Sequence, residues 1–339
     1  MNILLTSVGR RTYLVNYFKH ALKNKGEIHV SNSEYTLAFN YANKSVITPL
    51  IFNKNYVEFL LNYCLLNDIS AIIPLFDIDL LILSKNIDLF SKNNIRIIVS
   101  PYETINICND KWKTFNFLRS NKFSTPDTYL SLEKCKSNLN KKLLTFPLII
   151  KPRWGMGSVS MYEIDSIAEL EILYLKVKKD VLRTYLKYES NEDLDKCVVI
   201  QEKIPGTEYG LDLFNNLEGR FLTCVPKKKI AMRAGETDIA EIVNNRQLMS
   251  IGLSLSKSLN FIANLDVDLI KNENKYFIID INCRFGGQYP FSHLAGVNFP
   301  ETIVDMLANK IINKENLMVK YGTMGVKDIK PIILNKYET

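Results

Sequence analysis

The sequence contains few of the residues that build zinc sites, disulfide frameworks or catalytic triads. Its 339 residues include three histidines, His20, His29 and His293, whose wide spacing suggests neither a zinc cluster nor a triad. Six cysteines are scattered without a C-x-x-C pair, which indicates reduced packing residues rather than a disulfide framework or a zinc site. Any metal chemistry in this chain should therefore depend on carboxylates.

Long apolar runs are also missing. No stretch approaches the ~20 consecutive apolar residues of a membrane-spanning helix, and the apolar N-terminus reaches Arg10 and Arg11 after a few residues. We therefore expect a cytoplasmic protein of two or three domains that does not contact a membrane. The net charge of +7 is spread along the chain, which favours small polyanionic ligands over nucleic acid.

The first turn lacks a glycine-rich dinucleotide fingerprint. Residues 6–11 contain one glycine, Gly9, where a G-x-G-x-x-G loop needs three, so a dehydrogenase of that type is excluded. The first hundred residues nevertheless alternate short apolar runs with amphipathic stretches. This rhythm predicts βαβ units on a parallel, Rossmann-like sheet with ligand groups at the carboxyl ends of its strands. The predicted strands cover 2–6, 28–31, 71–74 and 96–99, and the predicted helices cover 13–23, 56–67 and 79–90.

After Pro101 the pattern changes to mixed helices and strands, without an internal repeat or a low-complexity linker. The predicted fold class is therefore α/β followed by α+β, with lobes that pack together and hinge at short turns. Predicted helices cover 111–120, 166–195, 245–259 and 301–308, and predicted strands cover 143–151, 197–201, 264–270 and 275–281.

The predicted strand over 275–281 carries polar side chains at its end and directly after it. Asp280, Asn282 and Arg284 occupy alternate positions, so they should point to the same side. Carboxylate and amide oxygens suit Mg²⁺, and a guanidinium beside them can hold phosphate or carboxylate oxygens. The alternative is an edge strand with a solvated polar face.

The preceding strand carries Asp266 and Asp268 on one face. Antiparallel pairing across the short turn after Lys271 should bring Asp268 near Asp280 and Asn282. Carboxylates that converge in this way repel each other unless a cation lies between them, which favours a divalent metal over surface acids.

Two further segments are suited to bind a nucleotide. The same is true of the basic first turn of the helix predicted to begin at Lys111. In the first segment, a buried strand ends at Lys151 and is followed by a turn with glycines, whose amides can approach phosphate oxygens closely. In the second, a strand leads into a Pro-Gly turn, whose unpaired main chain suits an adenine edge. Glutamates around this turn could accept ribose hydroxyls. Taken alone, each segment is also compatible with an ordinary tight turn.

Taken in order, these segments resemble the ATP-grasp superfamily over nearly the whole chain. The order is Lys111, Lys151 with its glycine loop, Gln-Glu-Lys-Ile-Pro-Gly-Thr-Glu from 201, Asp268, and Asp-Ile-Asn-Cys-Arg-Phe-Gly-Gly from 280. The chain is most similar to the branch related to the large subunit of carbamoyl phosphate synthase and to the pyrrolysine-pathway ligase. The resemblance implies a Rossmann-like pre-ATP-grasp domain over 1–108, a grasp N-lobe with a glycine-loop lid over 109–203, and a C-lobe with Mg-binding strands over 204–339.

The resemblance also implies a role for each matching residue. Lys111 and Lys151 would contact the phosphates of ATP. The turn with Gly155, Gly157 and Ser158 would close over them as a mobile lid. Main chain and side chains of Gln201, Glu202, Ile204 and Glu208 would surround the adenosine. Two Mg²⁺ ions, or Mn²⁺, would be held by Asp268, Asp280 and Asn282. Arg284 and Lys151 would be catalytic, with Arg284 stabilising charge on the transferred phosphoryl group.

The implied activity is an ATP-dependent carboxylate-amine or carboxylate-thiol ligase that acts through an acyl phosphate on small molecules, with a homodimer compatible with the pattern. Arg233 could hold the acyl phosphate or the substrate carboxylate, or it could belong to a solvated basic strand, and Gly9, Arg10 and Asp77 could face the substrate. The metal strand departs from the usual Glu-Ile-Asn-Pro-Arg of the family at Asp280 and Cys283, and the third metal position is Asp rather than Glu or Gln. These departures leave open a catalytically altered, ATP-binding regulatory module.

Overall fold

A parallel sheet of five strands forms the first part of the chain. The structure, a computed structural model, describes residues 1–155 and 159–333. The sheet has the strand order β3-β2-β1-β4-β5. Its elements are β1 (Asn2–Thr6), α1 (Thr12–Leu22), β2 (Ile28–Asn32), β3 (Lys44–Ile47), α2 (Tyr56–Leu66), β4 (Ile69–Pro74), α3 (Asp77–Ser84), α4 (Ile87–Ser91), β5 (Arg96–Ile97) and α5 (Tyr102–Asn109).

The two central strands, β1 and β4, are buried on both faces, as the continuous apolar runs of parallel strands require. β1 pairs with β2 on one side and with β4 on the other. The loops that follow β1 and β4 therefore diverge at the carboxyl end of the sheet and border a crevice. The predicted Rossmann-like sheet is confirmed.

Two predictions for this sheet differ from the structure. The helix predicted over 79–90 is divided into α3 and α4, because Asn86 ends the first helix by donating from its side chain to the Ile82 carbonyl at 2.8 Å. β3 was not predicted at all. It is a largely exposed edge strand, so its residues lack the apolar pattern that marks a buried strand.

The middle of the chain forms an antiparallel sheet of four strands, in the order β6-β9-β7-β8. Its elements are α6 (Lys111–Ser120), β6 (Thr128–Tyr129), α7 (Leu132–Asn140), β7 (Leu148–Pro152), β8 (Tyr162–Ile164), α8 (Ile167–Arg183), α9 (Leu186–Glu189) and β9 (Val198–Glu202). The strand predicted from Leu143 begins only at Leu148, because Leu143 is exposed and Pro147 has no amide hydrogen to donate. The single charged helix predicted over 166–195 ends at Arg183 and is followed by shorter turns.

The last part of the chain forms an antiparallel sheet of six strands, in the order β14-β13-β10-β11-β12-β15. Its elements are β10 (Thr207–Asn215), β11 (Phe221–Arg233), β12 (Glu236–Ile242), α10 (Arg246–Leu259), β13 (Ala263–Asn272), β14 (Lys275–Asn282), α11 (Tyr289–Leu294), α12 (Phe299–Leu307) and β15 (Met324–Val326). One face of this sheet packs on α10 and on the first part of the chain, and the other face carries the polar residues described below. Across residues 1–155 and 159–333, every helix is too short or too polar to span a bilayer.

Candidate active site

The polar face of the six-stranded sheet is centred on the pairing of β13 with β14. Asp268 lies directly opposite Asp280, and Asp266 lies opposite Asn282. The register shifts after Asp268, so that β14 contains one extra residue, Ile279. This bulge changes which side chains face the core and turns Asp280 to the polar face with Asn282. Asp268, Asp280 and Asn282 therefore lie close together, as predicted. The bulge produces this arrangement.

A lysine that was not among the predicted site residues lies against this carboxylate pair. Lys229 Nζ is 2.6 Å from Asp268 Oδ1 and 3.6 Å from Glu208 Oε2. Burial alone would lower the pKa of Lys229, but Asp268 outweighs burial and raises it. The Asp268 side chain remains 32% exposed, so one lysine partner does not close it to a ligand. Alternation along β11 could have identified Lys229, because Lys227 and Lys229 share the face of Gly210 and Glu208.

Asp266 is buried beneath this pair and is tightly enclosed. It accepts a hydrogen bond from Gln288 Nε2 at 2.5 Å, and Arg284 Nη1 lies 3.5 Å from its Oδ2. Burial raises the pKa of Asp266 to about 7, with Asp268 adding to the shift and Arg284 opposing it. A Cβ on Gly286 would lie 2.2 Å from this carboxylate, so only glycine leaves room for it there.

Lys151 approaches the carboxylates from the four-stranded sheet. Its buried Nζ donates to Gln201 Oε1 at 2.9 Å, and Gln201 in turn donates to Thr128 Oγ1 at 3.0 Å. Burial lowers the pKa of Lys151 to about 8, and nearby Lys111 lowers it further, whereas Asp280 and Asp268 oppose the shift. The charge state of Lys151 therefore depends on a second predicted phosphate ligand, Lys111, and on two predicted metal ligands, Asp268 and Asp280.

Lys111 is positioned by its neighbour Asp110. The Asp110 carboxylate caps α6 by accepting from Trp112 N at 2.9 Å, and it also receives two hydrogen bonds from Arg153, at 2.8 and 2.7 Å. Lys111 Nζ donates to the carbonyl of Gly155 at 2.5 Å. Gly155 has a φ of +105°, and a Cβ there would lie 2.5 Å from the Leu186 side chain. The other two predicted loop residues, Gly157 and Ser158, lie outside the described residues.

The predicted adenine and ribose contacts lie at the end of β9. The Glu202 amide donates to the Asp127 carbonyl at 2.9 Å, so it is already used within the protein. The Ile204 amide, by contrast, donates to no acceptor in the described part of the chain. Glu208 is 43% exposed and faces the polar side of the sheet near Lys229. Of the two main-chain groups that were predicted, Ile204 is thus the one with a free amide.

Arg284, which follows β14, connects the six-stranded sheet to the first sheet. Its Nε lies 3.1 Å from Asp77 Oδ1, and both side chains are less than a tenth exposed. Burial alone would lower the pKa of Arg284, but the neighbouring Asp77 and Asp266 outweigh burial and raise it. Two predicted residues that are 207 positions apart are therefore in direct contact.

The other predicted substrate residues are not brought to this centre. The Gly9 amide donates to Asn32 Oδ1 at 3.3 Å, and Arg10 is exposed. Arg233 lies at the far end of β11, where it bonds Asp238 and, at 3.2 Å, the Lys327 carbonyl. Within the described residues, no group of three or more His, Cys, Asp or Glu side chains forms an all-protein metal cage. Mg²⁺ at nucleotide sites usually takes only one or two carboxylates and completes its shell with phosphates and water, so the observed pair fits it.

Two consecutive parts of the chain match two family models. Residues 3–98 match the model of the PylC-like N-terminal domain, and residues 108–288 match the model of the ATP-grasp domain. Among curated relatives, the carbamoyl phosphate synthase large chain of Thermoanaerobacter sp. (strain X514) is 23% identical over 230 residues, which cover 65% of this chain and 20% of the relative. The chain thus spans about a fifth of the length of that relative.

Solved structures share the fold over nearly the whole chain. A biotin carboxylase from Campylobacter jejuni has a TM-score of 0.74 at 14% identity, and the match covers 94% of this chain and 73% of that one. An L-amino acid ligase from Bacillus licheniformis has a TM-score of 0.72 at 16% identity, and the match covers 98% of this chain and 81% of that one. At such low identities the similarity establishes the architecture.

Proposed function

This chain belongs to the ATP-grasp family, and from that membership we propose that it is an ATP-dependent ligase that joins a carboxylic acid to an amine. The observation that carries the proposal is the pairing of β13 with β14, which sets Asp268 directly opposite Asp280, in a fold that also supplies Lys151 from β7 and Lys111 from the start of α6. Two lysines together with two paired carboxylates supply the groups that bind a polyphosphate and its metal.

In the proposed reaction, the substrate carboxylate attacks the γ-phosphate of ATP and ADP leaves. The amine then attacks the resulting acyl phosphate, and phosphate leaves as the amide forms. Lys151 and Lys111 bind the phosphates, and Arg284 stabilises the charge that develops on the transferred phosphoryl group. No covalent bond to the enzyme is needed. A thiol in place of the amine would give a thioester by the same steps.

The carboxylates have a complementary role. Asp268, Asp280 and Asn282 would hold Mg²⁺, which would neutralise charge on the phosphates. The two aspartates lie directly opposite each other, an arrangement that is unfavourable for like charges without a cation between them. Ile204 would present its amide to adenine, and Glu208 would accept a ribose hydroxyl. The protein itself thus contributes binding, orientation and fixed charge.

A second candidate is a nucleotide-binding module that no longer turns over. The observation that favours it is the Lys229–Asp268 pair at 2.6 Å, because the lysine competes with a metal ion for the same carboxylate oxygen. The shorter Asp280, where the family usually has Glu, favours it as well. The two candidates differ in one outcome, which is whether ATP is consumed.

An ADP-release screen tests the proposal. Amino acids and small carboxylic acids, crossed with amines and thiols, are incubated with the protein, ATP and Mg²⁺, and products are identified by mass. We expect ADP only when an acid and a nucleophile are both present. Lys151→Ala and Asp280→Ala should abolish release, whereas the exposed control Lys257→Ala should retain it. Full turnover by Lys151→Ala would refute the mechanism, and Mg-ATP binding without turnover across the panel would favour the regulatory module.

A further inference from the structure

Helix α8 carries apolar side chains on two opposite sides. One side packs on the four-stranded sheet, where Leu170, Val177 and Val181 are fully buried. The other side leaves 67% of the Ile172 surface and 68% of the Leu175 surface exposed. A surface helix of a globular protein usually has one apolar stripe and a polar opposite face. The exposed apolar side of α8 therefore points to a partner outside the chain.

The exposed apolar residues have the spacing of a seam between two helices. Ile172 and Leu175 are followed by Leu182, which is 48% exposed, and Lys179 occupies the position between Leu175 and Leu182. Together these four residues, which we call the α8 stripe, alternate three and four positions apart. This alternation forms the contact line of coiled coils, in which a single lysine sets the register at a cost in stability.

The charges beside the α8 stripe change sign along the helix. The exposed acids Glu169 and Glu171 lie in its first half. The exposed bases Lys176, Lys179 and Arg183 lie in its second half. In the described part of the chain, Lys179 forms no ion pair. Two parallel copies of this helix would bring like charges together, whereas two antiparallel copies would bring acids beside bases.

The helix dipole alone would also favour acids in the first turn and bases in the last turn. A dipole acts on charges, however, and gives no reason for three aliphatic side chains on the solvent side. The apolar seam and the charge order together fit one occupant better than any other. That occupant is a second α8 running in the opposite direction, because the helix is then complementary to itself in both respects.

We infer that two copies of this chain associate through the α8 stripe, with the helices antiparallel around a twofold axis near Leu175, the middle residue of α8. Such an interface is isologous, so each copy contributes the same residues. The 17 residues of α8 span about 25 Å. One helix pair of this length should bury less than the ~800 Å² per partner of a standard interface, so we expect a reversible dimer with a Kd of about 10–100 µM.

The α8 stripe lies on the far side of the four-stranded sheet from the proposed nucleotide site. Leu148 and Ile150 of β7 pack in the same cluster as the buried side of α8. Strand alternation directs Lys151 to the other face of β7. A second copy bound to α8 would therefore leave Lys151 accessible to nucleotide, and the association is independent of the proposed ligase function.

Sedimentation velocity of the full chain at about 1 to 300 µM tests the association, and the wild type should change from monomer to dimer across this range. Leu175→Lys should raise the Kd about tenfold or more, because it places a charge at the centre of the seam. Leu66→Lys, at a leucine of α2 that is 83% exposed, should leave the Kd unchanged. Matched thermal unfolding shows that both variants are folded. A wild type that stays monomeric, or a Leu175→Lys variant that dimerises like the wild type, would overturn the inference.

Lys179→Glu tests the charge order. Its dimer should be about tenfold weaker than that of the wild type at low salt, because the new acid faces the acids of the second copy. Added salt should strengthen this dimer relative to the wild-type dimer, since it screens repulsion in one and attraction in the other. Lys257→Glu changes the net charge equally at an exposed position of α10 and should behave like the wild type. Equal salt responses in Lys179→Glu and Lys257→Glu would refute the antiparallel arrangement.

Engineered cysteines determine the direction of the helices. All six native cysteines are buried, so a short bismaleimide should react with the introduced ones. Leu175→Cys should cross-link with its own copy, because it lies near the axis. Ala168→Cys and Leu182→Cys should cross-link efficiently only when the two proteins are mixed, because opposite helix ends meet. Leu66→Cys measures random collision. Efficient cross-linking of Ala168→Cys with itself would show a parallel pair and overturn the assignment.

Discussion

Arg284 at the end of the metal strand forms a buried ion pair with Asp77 at the start of α3, with 3.1 Å between Nε and Oδ1. The pair links the six-stranded sheet to the parallel sheet at the point where the proposed reaction takes place. Asp77 keeps the guanidinium in one orientation, beside Asp266. The contact therefore couples the packing of the two domains to the position of the guanidinium that we propose to be catalytic.

Asp77→Asn tests this coupling. We expect the free energy of unfolding to fall by about 3 kcal/mol, because Arg284 loses one carboxylate while it stays buried. The maximal rate of ADP release should fall about tenfold or more while Mg-ADP affinity stays constant, since the amide no longer orients the guanidinium. Glu171→Gln, which removes the partner of the exposed Lys136, should leave the free energy of unfolding nearly unchanged. A fall in nucleotide affinity with an unchanged rate would contradict this role.

Lys151→Met should stabilise the nucleotide-free protein. Burial lowers the pKa of Lys151 from 10.5 to about 8. At pH 7 Lys151 is charged in both states, and its charge is less favourable in the folded state than in the unfolded state. Removing it should add about 2 kcal/mol to the free energy of unfolding, after allowing for the lost bond to Gln201. Nucleotide binding should be lost at the same time.

The stability difference between wild type and Lys151→Met should depend on pH. Between about pH 8 and pH 10.5 the unfolded wild-type chain binds more protons than the folded one, so its stability rises with pH relative to the variant. The difference between the two proteins should therefore shrink across this window in denaturant titrations without nucleotide. Lys257→Met, at an exposed position, should show no such trend. A constant difference from pH 7 to pH 10 would show that the charge is not the cause.

Strand periodicity was enough to predict the main features of the fold and of the metal strand. The βαβ rhythm identified the parallel sheet, and alternation placed Asp280 and Asn282 on one face. The bulge at Ile279 could not be predicted, because alternation assumes a regular ladder. The sequence places Arg10 and Arg11 side by side in a loop, and only the tertiary structure shows that Arg10 points to solvent.

Contacts between distant segments explain the remaining differences. Lys229 approaches Asp268 because β11 and β13 both flank β10. This strand order cannot be predicted from the sequence alone. Glu189 lies in a region whose charge pattern predicted a solvated surface helix. The stacking of Tyr188 on Phe52 positions it instead. These two residues are 136 positions apart, and no sequence pattern links their segments. Local patterns therefore predicted elements, and tertiary contacts determined which polar residues meet.

Lys227 and Asp212 form a second buried ion pair, beneath the proposed site. Both side chains are fully buried, their charged atoms are 2.5 Å apart, and Ser292 also donates to Asp212. Lys227→Met should lower the free energy of unfolding by about 3–5 kcal/mol, because it leaves a buried carboxylate without a counter-ion. The double variant Lys227→Met/Asp212→Leu should regain most of this loss in denaturant titrations. A double variant as unstable as Lys227→Met alone would show that the pair itself, and not the uncompensated charge, stabilises the fold.

Asp280→Asn separates metal binding from phosphate binding. The wild-type chain should bind ADP about tenfold more tightly with Mg²⁺ than without it, and the variant should lose most of this gain because a neutral amide is a poorer magnesium ligand. Without Mg²⁺ the variant should bind ADP more tightly than the wild type, since one negative charge facing Lys151 and the phosphates is gone. Asp280→Glu keeps the carboxylate and should keep the magnesium response, as should Asp195→Asn at a surface position. Calorimetric titration with and without the metal measures all four proteins, and an unchanged response in Asp280→Asn would exclude Asp280 as a ligand.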